Sequence, residues 1–469
     1  MKLNGGEILL GSFYFNLQDD PLNIRLLGSD ESPRHRDSSL SVHFHAPTIG
    51  EGTITATLEN PVYPRSEVKV ALGPISNKRV FDLFVREPFG RVSPILKNLS
   101  INGETSLTAT IRGSPHDYAV QGLLETSSVD LAIPTHEIAA KGVKIRLPFS
   151  LEYPNRERTV SRGDPNKSIT GFVKGDRIQW KSHAWREVAV PVTLKDNTFF
   201  LPPHLKVPIW GGAVILEGAK IQDPFGKTME ITLGLRLNHL DFSKVTKAFV
   251  PLVLQGSLEG SFPEIRLSSD SLATRGSLTA HTLGGRIEVG NIQTVAPFSH
   301  LRKGSMEVLF TDIDLEEASR SFKFGQMGGI IQGNITNLVF SFGQPEKFEL
   351  SIRSLKKRGI KQYVNAEAVN NLSILSTGTA FPFRRGILQF FRYFPYDKLG
   401  IYCKLENDIF TLRGTIRQNG VEYLIKRGLF GGINVINQNP ENRIRWKQML
   451  GRLKAISQGM GDVKVTTED

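Results

Sequence analysis

His43 and His45 stand at i and i+2, a spacing that puts two imidazoles on one face of a β-strand. Such a pair can ligate a transition metal, but a third ligand at useful spacing is missing from the sequence. Arg162-Gly163-Asp164, followed by Pro165, reads as a turn in a polar loop. Glu316-Glu317 falls on the solvated side of a short predicted helix. No Gly-Lys-Ser/Thr phosphate loop, GxSxG elbow or HExxH pair occurs. Cys403 is the sole cysteine, so an internal disulfide is impossible and the redox compartment cannot be read. The expectation is a protein that is not an enzyme and has no cofactor and no metal. Function must then come from binding.

The chain has 469 residues, enough for two to four compact domains, and a formal net charge of +12. That charge favours an anionic partner, either nucleic acid or an acidic membrane surface, unless it serves solubility alone. No nucleic-acid-binding module is recognisable, so nucleic acid is not expected as a partner. With 39% hydrophobic and 22% charged residues the chain can bury a core. The N-terminus MKLNGGEILLGSFYFNL lacks the apolar centre of a secretory signal, and no run of 18 apolar residues occurs. The chain opens three residues before a Gly-Gly motif, as if inside a unit. A segment upstream of Met1, carrying a membrane anchor, is therefore expected.

Which elements would position a binding surface? Period-2 alternation dominates. Ile54, Ala56 and Leu58 alternate with Thr55, Thr57 and Glu59, and Leu107, Ala109 and Ile111 with Thr108, Thr110 and Arg112. The longest run is Met229, Ile231, Leu233, Leu235 and Leu237, interleaved with Glu230, Thr232, Gly234, Arg236 and Asn238. One apolar and one wet face per strand is the pattern of antiparallel sheet. Helical periodicity is scarce, so the fold class is mainly β.

The strands recur in units. LGGRIEVGNI (283–292) has near-copies in GGEILLG (5–11), GGAVILEG (211–218) and, shifted by one residue, GGINVIN (431–437). Gly211-Gly212 and Gly284-Gly285 stand 73 residues apart, and Gly431-Gly432 lies 147 further on. Asp241-Phe242 with Val245 and Phe249 matches Asp314-Leu315 with Ala318 and Phe322, again 73 apart. Each set predicts a short helix with an Asp N-cap and an apolar stripe at i, i+3 and i+7. The following Leu254-Gln255-Gly256 and Ile331-Gln332-Gly333 are 77 apart and imply a small insertion. Weaker echoes sit at Gly142 and Gly359. Repeats of about 73 residues imply stacked units sharing one core. Two architectures remain: closed β domains in a row, or one extended antiparallel sheet curved about its apolar face. For Met229, Ile231, Leu233, Leu235 and Leu237, a sealed sandwich core and an open surface fit the alternation equally well.

LNHLDFSKVTKAFVPLVLQGSLEGSFPEIRL (237–267) resembles the AsmA-like proteins of the bacterial envelope, most of all their YdbH-type branch, whose C-terminal region has been labelled "dicarboxylate transport". FRYFPYDKLGIYCKLENDIFTLRGTI (391–416) and GGINVINQNPENRIRWKQMLGRLK (431–454) resemble the closing region of that family. The likeness covers roughly 205–455; the family's N-terminal membrane helix is missing here. The resemblance implies a taco-like β-groove with an apolar floor that moves phospholipid between the inner and outer membranes without chemistry. It implies phospholipids and membrane surfaces as partners, with a small outer-membrane lipoprotein as a further one, in the periplasm or cell envelope. No compact pocket with converging basic residues supports a dicarboxylate.

The residues agree with that reading. About 25 strands stacked at ~4.8 Å would span on the order of 120 Å, and each acyl methylene laid on an apolar strip gains about 0.8 kcal/mol. Expected groove-facing residues are Met229, Ile231, Leu233, Leu235, Leu237, Leu278, Ile287, Val289, Val308 and Phe310. Two segments break the β pattern. AFPFRRGILQFFRYFPY (380–396) mixes aromatics with arginines, and NRIRWKQMLGRLKAI (442–456) predicts a basic helix with Trp446, Leu450 and Leu453 on one face. Each suits an acidic bilayer surface or a helix packed over the end of the core. The membrane-surface candidates are Arg384, Arg385, Phe390, Phe391, Arg392, Trp446 and Arg452. The expected organisation is a first groove part over 1–204, repeated units over 205–375, a closing region over 376–458 and a flexible tail over 459–469. The competing reading is an envelope scaffold or adhesin whose apolar faces are sealed and carry no lipid.

Overall fold

The computed structural model describes residues 1–10, 13–30, 38–59, 65–87, 94–114, 117–153, 169–195, 198–223, 228–250, 252–299, 301–378, 393–429, 431–437 and 443–457. The protein is mainly β: 27 strands join one open antiparallel sheet that does not close into a barrel. By internal contacts the chain divides into two units, one holding Met1–Leu205, Glu217–Leu233 and Phe298–His300, the other the remainder.

In the first unit, strands β1 (Leu22–Asp30), β2 (Ser38–Ala46), β3 (Gly50–Glu59), β4 (Arg65–Ser76), β5 (Glu104–Ser114), β6 (Asp117–Thr126) and β7 (Ile138–Tyr153) pair in that order, all antiparallel. Strands β8 (Ile169–Trp180) and β9 (His183–Lys195) continue the ladder. A buried ion pair ties the chain start to it. The Asp20 carboxylate, wholly out of solvent, accepts from Arg79 Nε at 2.9 Å, from Arg79 Nη2 and from Thr48 Oγ1. Burial alone would raise its pKa, but the hydrogen bonds from Arg79 and Thr48 and the guanidinium charge outweigh that and hold it below the usual carboxylate value.

In the second unit, strands β10 (Ser257–Leu267), β11 (Ser271–Thr282), β12 (Gly285–Val295), β13 (Lys303–Asp314), β14 (Ile330–Ser341), β15 (Gln344–Leu355), β16 (Lys398–Glu406) and β17 (Ile409–Gly414) form the ladder. Its core gathers under helices α1 (Ala366–Thr377) and α2 (Trp446–Ser457), where Val364, Val369, Leu405, Leu424, Ile425 and Met449 are almost wholly buried.

The 73-residue period is a structural unit. Strands Thr198–Ile209, Gly212–Gln222 and Glu230–Asp241, helix Phe242–Phe249 and strand β10 recur as β11, β12, β13, helix Leu315–Ser321 and β14, each starting 73 residues later. The counterpart of Gly256 is therefore Gly329, not Gly333, and the insertion inferred from the 77-residue spacing is absent. Both glycines precede a strand with a left-handed φ, +135° and +129°.

A hydrogen-bonded module explains why these residues repeat. Trp210-Gly211 and Leu283-Gly284 have positive φ at both positions, as a two-residue hairpin turn requires. Trp210 and Leu283, which take it without being glycine, are both buried. The turn carbonyl then accepts from the N-cap amide, Asp241 N to Trp210 O at 2.7 Å and Asp314 N to Leu283 O at 2.8 Å. The first helical amide donates to the glycine before the next strand, Phe242 N to Gly256 O and Leu315 N to Gly329 O. The same circuit recurs in the first unit, with Ser76 N on Ile49 O and Asn77 N on Gly103 O. There the N-cap is Ser and the turn has no Gly-Gly, which hid the copy from sequence comparison. The Asp314 carboxylate accepts from Glu316 N at 2.7 Å. Asp314→Ala is expected to cost about 1 kcal/mol, read as a lowered midpoint in urea unfolding.

One detail departs from the predicted helical stripe. Val245 and Ala318 pack inward, but Phe249 and Phe322 are exposed, as is Phe84, which stands eight residues after its N-cap as they do.

Candidate functional site

Register turns the alternation of the first unit into rows. One row runs Leu26–Val42–Ile54–Val70–Ala109–Gly122–Phe149 across seven strands. Beside it run Ile24–Phe44–Gly52–Leu72–Leu107–Leu124–Leu147 and Gly28–Leu40–Ala56–Val68–Ile111–Val120. Ile145–Val173–Val190 extends the same face over β8 and β9. Where a row meets glycine, a neighbouring ring fills the gap: a Cβ on Gly122 would strike Phe149, and one on Gly52 would strike Phe44. The opposite face carries Ser41, Thr55, Lys69, Thr110, Gln121 and Ser150 in one row, and an Arg112–Glu67 ion pair at 2.8 Å in the next. A shallow cavity of about 320 Å³ on the sheet is bordered by Thr53, Thr55, Lys69, Thr108, Thr110 and Gln121.

The apolar rows hold no charged residue, and not one of their side chains is buried; Leu26 keeps 64% of its surface in solvent and Leu40 50%. Half-burial is what sheet neighbours alone provide. A second layer packed on top would bury these side chains as the core of the other unit is buried. At ~4.8 Å per strand and ~3.4 Å per residue the rows cover roughly 29 by 14 Å. A patch of about 400 Å² falls in the range of the largest apolar patch on an ordinary folded protein, which is often functional.

In the second unit, the predicted residues Leu278, Val289 and Val308 line up in one row, Gly260–Leu278–Val289–Val308–Ile335–Leu350–Cys403–Leu412. Ile287 and Phe310 sit in the adjacent row, Leu258–Ala280–Ile287–Phe310–Gly333–Ile352–Ile401–Gly414. All five are half-buried. Leu237 joins them, since a Cβ on Gly260 would approach both Leu237 and Leu278. Ile231, Leu233 and Leu235 are half-buried in strand Glu230–Asp241, and Met229 is exposed just before it. The two rows end beneath α2. Phe410 and Phe348 pack on the Trp446 ring at 5.7 and 5.8 Å, and Cys403, Leu405 and Leu412 are buried. Burial pushes the Cys403 thiol up to about 12. Native protein is expected not to react with a thiol reagent at neutral pH, whereas urea-unfolded protein reacts stoichiometrically in a dithionitrobenzoate assay.

The membrane-surface candidates divide. Trp446 and Arg452 point inward, Arg452 Nη1 donating to Leu375 O at 2.9 Å on α1, with burial lowering the guanidinium pKa. Arg384, Arg385, Phe390, Phe391 and Arg392 lie outside the described residues, as do the Arg162-Gly163-Asp164 tripeptide and the 459–469 tail. His43 is engaged by hydroxyls, Nδ1 with Thr53 Oγ1 at 2.9 Å and Nε2 with Ser41 Oγ at 3.3 Å. No cluster of metal-ligating side chains occurs among the described residues. Among them, too, no helix is long and apolar enough to cross a membrane.

The sequence reading missed the rows of the first unit. Val68, Val70 and Leu72 do alternate, but Gly122 and Pro148 interrupt the pattern in β6 and β7, and only register reveals that the interrupted pieces join.

The described residues define an open antiparallel sheet, with apolar rows in the first unit of which no side chain is buried and a sealed core in the second. No family model, curated protein or solved structure matches the chain.

Proposed function

We propose that this protein binds phospholipids by their acyl tails along the apolar rows and carries them between the membranes of a Gram-negative cell envelope. The observation that carries the reading is the first unit's apolar face, of which no row residue is buried. The likeness of 237–267, 391–416 and 431–454 to AsmA-like envelope proteins supports it and supplies the location. Each tail methylene moved from water onto the rows gains about 0.8 kcal/mol. That attraction is non-directional, and the rows repeat every ~4.8 Å. A tail can therefore slide from strand to strand against a small barrier, with its headgroup in solvent at the border. Transport on such a surface needs no catalytic residue.

The sealed core beneath α1 and α2 favours a second reading, an envelope scaffold without cargo. Thin-layer chromatography and native mass spectrometry of protein purified without detergent separate the two. Carriage requires co-purified phospholipid; a scaffold yields none, and none after incubation with vesicles.

A further inference from the structure

The C-terminal helix has a side that the sealed core does not use. α2 faces inward with Trp446, Met449, Arg452, Ala455 and Ile456. Its outward side presents Leu450 and Leu453, 38% and 41% exposed, beside the exposed Lys447 and Lys454. Arg443 and Arg445, just before the helix, are exposed as well. None of these four cations forms an ion pair among the described residues, and residues 443–457 contain no Asp or Glu. Four cations unpaired among the described residues thus surround two exposed leucines on one helix.

We propose that the outward side of α2 is a docking surface for an anionic lipid bilayer. Leu450 and Leu453 enter the headgroup–acyl boundary, while Lys447 and Lys454, with Arg443 and Arg445 at the helix start, meet acidic headgroups. Charge complementarity selects this occupant. Each basic residue near an anionic surface adds attraction that salt attenuates, and exposed leucines add apolar burial that a purely ionic contact lacks. Because the inward side is anchored on Phe348 and Phe410, the helix is held in place before it meets a membrane, so no ordering cost offsets binding. This surface is distinct from the apolar rows and does not depend on their carrying lipid.

Flotation of the full chain with vesicles tests it, using phosphatidylglycerol/phosphatidylcholine mixtures against pure phosphatidylcholine. The protein should float with the anionic vesicles and not with the neutral ones, and 0.5 M salt should release most of it. Lys447→Glu/Lys454→Glu and Leu450→Ser/Leu453→Ser should each reduce partitioning at least tenfold. Unchanged Cys403 protection from thiol reagents would show that the core beneath the helix is intact. Flotation that ignores vesicle charge, or that both double variants retain with Cys403 protected, overturns the proposal. Wild-type protein that stays with the pellet overturns it too. Co-purified phospholipid in variants that no longer float would leave carriage standing without this contact.

Discussion

Val70→Asp is expected to strip the protein of bound phospholipid while leaving it folded. Val70 lies mid-row, between Ile54 and Ala109, among row residues none of which is buried. In the free protein a carboxylate there stays hydrated, so the fold loses little. Once a tail covers it, the charge must be desolvated without a partner, which costs several kcal/mol. At ~1.4 kcal/mol per factor of ten, lipid retention should fall on the order of a hundredfold. Thr110→Asp is the matched control, an equal charge one residue along β5 from Ala109 and on the opposite face. It should retain wild-type lipid content. Equal loss from both variants, with both folded by circular dichroism, would mean that the face has no special part in binding.

Arg79→Ala is expected to have the largest effect on stability. Removing the partner of this part-buried ion pair strips Asp20 of its charged hydrogen-bond donor, which costs about 2–3 kcal/mol. That is a large share of a typical domain's 5–15 kcal/mol. Asp20→Asn combined with Arg79→Ala should cost less than Arg79→Ala alone, because the stranded charge is gone. The pH dependence has a definite sign. The folded pKa of Asp20 lies below its ordinary 3.8. Its contribution is then fully present above that value and is lost as pH falls through the folded pKa. The stability gap between wild type and Asp20→Asn should narrow below about pH 4. A constant gap from pH 7 to 3, measured by urea unfolding, would show that the pair does not act as an ion pair.

How much of this was legible in the residues? The β class followed from alternation, because a strand with one wet face writes its period directly into polarity. The 73-residue unit followed from the Gly-Gly pairs and the Asp caps, since a positive-φ turn and an N-cap each demand few residue types. Its third copy did not, because Ser76 caps as well as Asp and Ile49 supplies the same carbonyl from a different turn. Leu278, Ile287, Val289, Val308 and Phe310 fall in two adjacent rows of the second unit, whereas the rows from Leu26 to Phe149 in the first emerge only from register, which alternation within one strand cannot fix. The basic helix shows a different limit. Sequence grouped Trp446 with Leu450 and Leu453, but the helix turns Trp446, Met449 and Ile456 inward. What it packs against is set by Phe348 and Phe410, far away in the chain.

Under the proposed function, hydrocarbon lies against one side of β3 and β4 and not the other. A photoactivatable benzoyl-phenylalanine placed singly at 54 or 70, and at 55 or 69 on the reverse side, reads this directly in cells grown with labelled phosphate. Labelled lipid adducts should form at 54 and 70 and be absent at 55 and 69. Adducts on both sides alike, on neither, or to a protein covering positions 54 and 70 would contradict it.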